Sequence, residues 1–424
     1  MISRDKQADG LAAALRFRDF RLLWLGQSVS FIGDQVFPVA VVLRVLEAGG
    51  RAGDLSLVLA ARGLALALLL IPGGVLADRI TQVRVMIGAD VGRLLAVICL
   101  AVAPLSLPVA LLASVTFLVG AGEALFLPAY RSVFPTILPD DKLQAANALT
   151  SVSMRVGAIA GPALAGLLTK LAGVESAFAF DAVTFAASVA TLLAIRQARA
   201  AAPRPRAAVA REVLDGFRVL RALPWIGVLT IMSGVHMSLA APPWFVLLPI
   251  VARGRLGGTA AYVLLLALFA AGAVAGALTA GRLQPRRPGL LSLILLTFFG
   301  GVLLGLAIPA PLPLIAVLVV IAGAGIEIFG VYMDTAMQRT IRRDMLARVM
   351  AVDMVGSIGL NPVGFLLTGW AASAFGAPAV LATAAAIMVV SSLLPLTVPG
   401  VVRLRTPDAV KPAEPLPAKQ AYER

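Results

Sequence analysis

Residues 55–103 read LSLVLAARGLALALLLIPGGVLADRITQVRVMIGADVGRLLAVICLAVA, two long apolar runs, 55–77 and 83–103, parted by a short break that carries Asp78 and Arg79. A helix rises 1.5 Å per residue, so roughly 20 apolar residues cross the hydrocarbon core of a bilayer. Both runs meet that length, and the stretch reads as two membrane-spanning helices joined by a tight, charged loop.

The pattern repeats outward in both directions. Further spans are expected near 21–46, 107–128, 143–169, 176–195, 223–251, 258–281, 289–309, 313–335, 347–373 and 377–399, which makes twelve. Of the 424 residues 60% are apolar and 14% charged, and mean hydropathy is +0.94, so most of the chain cannot be a water-solvated globular domain. The expected fold class is an all-α integral membrane protein. The longest polar break divides it into a six-helix half at 1–196, a linker at 197–222, a second six-helix half at 223–402 and a tail at 403–424. The linker runs from ARAAAPRPR into REVLDGFRVLRAL, a tether with lipid-facing arginines rather than a binding module.

A net charge of +14 would suggest nucleic acid in a soluble protein, but the placement of the 36 Lys and Arg excludes that reading. Taking alternate breaks as alternate sides, 28 lie on one side and five on the other, with Arg62, Arg93 and Arg155 inside spans. The positive-inside rule then puts both termini and the linker in the cytoplasm of a multi-pass protein. The first apolar run is too long for a cleaved signal, carries Asp34 and Arg44, and lacks a clear small-residue cleavage site. Cys99 is the only cysteine and His236 the only histidine, which leaves no intramolecular disulfide and no Cys- or His-rich metal site. No cofactor is expected, and no G-x-x-x-x-G-K-[ST] phosphate loop occurs, so an ion gradient replaces ATP as the energy source.

Sliding the chain against itself shows weak internal similarity near offsets of about 200–204 residues. At 204, Glu123 falls on Glu327, Thr136 on Thr340 and Asp140 on Asp344; at 200, Gly161-Pro162 falls on Asn361-Pro362.

The break between spans 2 and 3, Gly74-Val-Leu-Ala-Asp78-Arg79-Ile-Thr-Gln82-Val-Arg84, resembles the G-x-L-a-D-R-x-G-R-[RK] loop of the major facilitator superfamily, with Gln82 in place of a glycine. The resemblance implies a cytoplasmic gate in which Gly74 admits close helix approach while Asp78, with Arg79 and Arg84 nearby, pairs or caps to latch it. The second half puts Ala280 opposite Asp78, so the first half carries the latch. In span 5, Gly157-Ala-Ile-Ala-Gly161-Pro162-Ala-Leu-Ala165-Gly166 resembles an element of the superfamily's proton-driven drug antiporters, with Ala165 replacing one glycine. Together with RDFRLLWLGQSVSFIGDQ and LFLPAYRSVFPTILPDDKLQAANAL, these motifs resemble the bacterial subgroup that includes macrolide efflux pumps and the enterobactin exporter, over nearly the whole chain. That implies residence in a bacterial inner membrane.

Counted inward along their spans, Asp34, Glu123, His236 and Glu327 fall near mid-membrane, on helices that resemble the superfamily's cavity-lining set. An ionisable group there costs about 2.5–3.5 kcal/mol on insertion scales, so each should face a wet cavity or a partner. Glu123 and Asp34 lead as proton carriers, ahead of Glu327, and His236 either joins a relay or bonds between helices. Arg62 and Arg155 are candidate charge partners, Asp90 and Arg93 a gate pair spaced i and i+3 on one helix. Phe37, Phe126 and Trp244 are candidates to line an apolar cavity, with packing the default for each. Pro242, Pro243 and Pro249 interrupt the outer part of span 7, as an outer gate or as a mere kink. The functional expectation is proton-coupled export of a hydrophobic or amphipathic small molecule by a monomer, with an importing symporter as the alternative and a membrane enzyme or sensor as a remote one.

Overall fold

The computed structural model describes residues 13–196, 223–283, 285–341, 345, 349, 359–398 and 401, except the side chains of Asp78 and Asp140. The linker, the tail, Asp344 and the first part of span 11 therefore lie outside the described residues. Every regular element described is helical, as a lipid-solvated chain requires, since in hydrocarbon each backbone N–H and C=O must find its partner within the segment.

The helices are α1 (Arg18–Glu47), α2 (Ala52–Arg79), α3 (Gln82–Val102), α4 (Val109–Ile137), α5 (Leu143–Ala172), α6 (Val174–Leu193), α7 (Pro224–Val235), α8 (Ala241–Val251), α9 (Thr259–Ala280), α10 (Pro288–Ala307), α11 (Leu312–Thr340), α12 (Asn361–Phe375) and α13 (Ala377–Leu393). With α7 and α8 forming one continuous helix, eleven segments among the described residues are long and apolar enough to cross a membrane. In the stretch expected to hold the remaining span, the structure describes α12, of 15 residues. The architecture is the all-α, twelve-span membrane fold read from hydropathy.

Two helix ends depart from expectation. Span 4 continues past residue 128 to Ile137, carrying Tyr130 and Phe134 into an aromatic cluster with Phe20, Phe31 and Phe126. Span 7 does not break at its prolines. Pro242 and Pro243 lack the N–H that an α-turn would use, and the helix widens instead into a π-turn at His236–Ala240, where Ala241 N–H reaches the His236 carbonyl. A second π-turn, Ala252–Leu256, ends on Gly257 at φ +104°, a left-handed conformation that glycine adopts without strain.

The described chain packs as two compact units. The first comprises 13–196, 242–270 and 361–380 and the second most of the remainder, so packing groups two segments of the second half with the first six spans. In the first unit, Gly63 meets Pro362 and Gly369 meets Ser56, joining α2 to α12, while Gly166 abuts Val263 of α9. Arg253 donates to the Leu46 carbonyl in the last turn of α1, which also accepts the Gly49 N–H. Arg44, 1% exposed inside an apolar helix, is accommodated the same way, donating to the Leu100, Ala103 and Pro104 carbonyls at the end of α3 at 2.8, 2.9 and 2.6 Å.

Candidate functional site

The first unit concentrates ionisable side chains at the junction of α1, α3, α4 and α6. Arg93 of α3 is 2% exposed, and its guanidinium lies 3.1 Å from Asp34 of α1 while also pairing with Asp90 on its own helix. The Asp90 carboxylate is sealed at 0% exposure and accepts the Ser188 hydroxyl of α6 at 2.5 Å; Ser188 in turn accepts from Gln27 of α1 at 2.7 Å. The guanidinium also lies over the rings of Phe126 of α4 and Phe185 of α6, at 4.7 and 4.5 Å from their centroids. Gly122 makes room for this, because a Cβ there would sit 2.5 Å from Arg93 Cγ. Of the three charged partners, only Asp34 keeps a substantially accessible side chain, at 30%.

A second pair crosses from α2 to α4. Arg62 Nη2 and Nε lie 2.8 and 3.0 Å from the same Glu123 oxygen, and both side chains are about a quarter exposed, at 29% and 26%. Arg62 is thus the partner of Glu123, while Arg155 stands half-buried on α5. Glu327 stands half-buried on α11 in the second unit. There, His236 Nε2 is 2.8 Å from Ser391 Oγ of α13.

Phe37, Phe126 and Trp244 are 3%, 6% and 2% exposed and packed against Phe178, Tyr130 and Phe269, so the default of interior packing describes them and the cavity candidacy does not. An apolar crevice of about 630 Å³ lies elsewhere in the first unit, between α2, α4 and α12, lined by Leu57, Ala60, Leu64, Phe117, Pro362 and Leu366 among others. The close approach assigned to Gly74 belongs to its neighbour: a Cβ on Gly74 would meet nothing, whereas one on Gly73 would sit 2.6 Å from the Ala124 carbonyl oxygen. The pairing of Glu123 with Glu327 also shifts. Gly276 of α9 presses on Ala324 of α11 as Gly73 presses on Ala124, so the packing equivalence runs at an offset of 200 for the alanines and leaves Glu327 one turn further along its helix.

The gate loop is partly visible. Arg79 ends α2 and is exposed, as is Arg84, whereas the Asp78 side chain lies outside the described residues. Gln82, where the superfamily pattern has glycine, is fully buried and its Nε2 lies 3.4 Å from the Ala77 carbonyl near the end of α2. On α5, Gly157 and Gly161 seat the helix against α1: a Cβ at Gly157 would lie 2.8 Å from the Phe31 carbonyl oxygen, and one at Gly161 would overlap Gln35. Pro162 is buried beside them and Gly166 is the contact to Val263. The glycine element therefore grips α1 on both sides of Asp34.

One acid in this region has no counterpart among the residues singled out from sequence. Asp181 of α6, in the run FAFDAVTF, is 0% exposed and packs against Gly33. An ionisable residue inside span 6 was itself a signal of the kind that identified the others.

The profile of the transmembrane secretion effector family, MFS_3, matches residues 10–421. Macrolide efflux protein A of Streptococcus pyogenes is 25% identical over 374 residues, which cover 84% of this chain and 90% of that protein. Enterobactin exporter EntS of Shigella boydii is 29% identical over 280 residues, 65% of this chain and 66% of that one. Among solved structures, a POT family transporter in complex with a thioalcohol-conjugated peptide superposes with a TM-score of 0.73 at 13% identity, over 90% of this chain and 96% of its own, a likeness of fold alone. The chain belongs to the transmembrane secretion effector family of the major facilitator superfamily, the family of a multi-pass secondary transporter.

Proposed function

We propose that this transporter is a proton-coupled exporter of a hydrophobic or amphipathic small molecule, working as a monomer by alternating access in a bacterial inner membrane with both termini cytoplasmic. The observation that carries the coupling is the sharing of one buried cation, Arg93, between Asp34 and Asp90. While Asp34 is ionised, the guanidinium ties α1 to α3. A proton arriving on the accessible Asp34 removes that charge, and Arg93 falls back on Asp90, which the Ser188 hydroxyl holds in place. The α1–α3 tie is thereby released by one proton, and the glycine face of α5 passes a change in α1 to a third helix. Glu123, tied to Arg62, repeats the arrangement between α2 and α4.

The direction of transport draws on the relatives named for efflux and export and on the glycine element of α5. The relatives named for efflux and export support a reading of transport without catalysis. Accumulation of substrate in everted vesicles, reversed by an uncoupler, tests the direction; uptake into right-side-out vesicles driven by an inward proton gradient would favour the importing symporter. Asp78→Ala tests the cytoplasmic latch: transport should fall to background at unchanged membrane level, and retained transport would remove Asp78 from the gate.

A further inference from the structure

The coupling account above uses three carboxylates and leaves a fourth, Asp181, unexplained. Its side chain is 0% exposed, and none of the ion pairs among the described residues involves it. Oδ2 has no hydrogen-bond partner among the described residues, and Oδ1 has one neighbour, Thr184 Oγ1 at 3.2 Å. Helix α6 packs against α1, α3 and α5. The charged groups that act on Asp181 are Asp34 from α1, Arg93 from α3 and, more weakly, Arg62 from α2; α5 contributes none of them. Asp90 of α3 faces α6 as well, through Ser188.

Both cations in that set are already taken, Arg93 by Asp34 and Asp90, Arg62 by Glu123. Three carboxylates against two guanidiniums leave the cluster one negative charge in excess before Asp181 is counted. A fourth carboxylate would add a charge sealed from bulk solvent and without an ion pair among the described residues, which an apolar interior opposes by several kcal/mol. The hydrogen positions argue the same way. Thr184 has a single hydroxyl hydrogen, and its oxygen lies 2.8 Å from the Asp181 backbone carbonyl, the usual back-bond of a helical threonine. With the hydrogen spent there, the 3.2 Å contact to Oδ1 becomes a hydrogen bond only if the carboxyl supplies the proton. The slot is made by Gly33, where any Cβ would run into Asp181 Oδ1 and Thr184 Oγ1, so the carboxyl lies against the residue that precedes Asp34.

We infer that Asp181 is a proton-binding residue of this transporter, held as the neutral acid in the state described and donating to Thr184. It deepens the coupling reading by adding a proton site behind Asp34. The step is a transfer between acids: the O–H bond of Asp181 breaks, an O–H bond forms on an Asp34 oxygen, and the negative charge passes from Asp34 to Asp181.

Infrared difference spectroscopy of the full chain in lipid nanodiscs, with aspartate carboxyls isotope-labelled, reads this directly. At neutral pH the wild type should show the carbonyl stretch of a protonated aspartic acid, lost in Asp181→Asn and retained in Asp34→Asn. A band that survives in Asp181→Asn, or is absent from wild type, overturns the assignment. Should Asp181→Asn fail to assemble, Thr184→Val removes the acceptor and should move the band to higher frequency; an unmoved band overturns it equally. Because the readout is protonation and not transport, a protein that moved no substrate on a proton gradient would sink the coupling reading and leave this result standing.

Discussion

The Arg93 guanidinium reaches Asp34 of a neighbouring helix at 3.1 Å and Asp90 of its own helix at once, and lies over the rings of Phe126 and Phe185. Removing one side of a buried ion pair strands the other, at a cost of about 3–5 kcal/mol. Arg93→Met strands two acids and should destabilise the protein on that scale in detergent unfolding. Asp34→Asn leaves Arg93 its bond to Asp90 and should cost clearly less. Equal losses in the two variants would show that Arg93 does not depend on Asp90.

The Arg62–Glu123 pair is only partly buried, and pairs of that kind contribute about 0–1 kcal/mol. Glu123→Gln should therefore shift unfolding by no more than that, while gradient-driven transport is lost and exchange of substrate across a membrane without a gradient persists. Loss of both activities would mark Glu123 as a substrate or structural contact instead.

Gly73 and Gly74 are neighbours with opposite surroundings. Alanine at Gly73 drives a methyl into the Ala124 backbone and should cost about 1–3 kcal/mol, the scale of overpacking. Alanine at Gly74 meets open space and, in mid-helix, should stabilise by about 0.5–1 kcal/mol. Thermal unfolding of the two variants side by side checks the sign of each.

Hydropathy made the fold legible because lipid enforces it: length and apolar content alone locate helices such as α3 and α9 to within a few residues. It gave no warning that span 4 runs on through Pro128 and Pro135, nor that span 7 passes its prolines by π-turns, since both depend on which backbone acceptors find partners in three dimensions. Asp34, Glu123, Arg62, Arg93 and Asp90 were visible as charges inside apolar runs. Arg62 was read as a charge partner and Asp90 with Arg93 as a pair on one helix, but which acid each arginine takes on another helix was not legible, because residues 59 to 61 positions apart meet only through packing. The aromatic candidates could be read only by default, because a large apolar ring looks the same in sequence whether it lines a cavity or, like Phe126, covers a guanidinium. Asp181 followed the same rule as the other acids and sat unremarked in span 6.

The central claim is that protons on Asp34 and Glu123 drive export. The most direct measurement is substrate accumulation in everted membrane vesicles under an imposed proton gradient, using macrolides, siderophores and cationic dyes, in wild type, Asp34→Asn and Glu123→Gln. The account predicts accumulation in wild type that collapses with an uncoupler and is absent from both variants at equal membrane levels. Accumulation that persists in Asp34→Asn and Glu123→Gln, or that ignores the gradient in wild type, would contradict it.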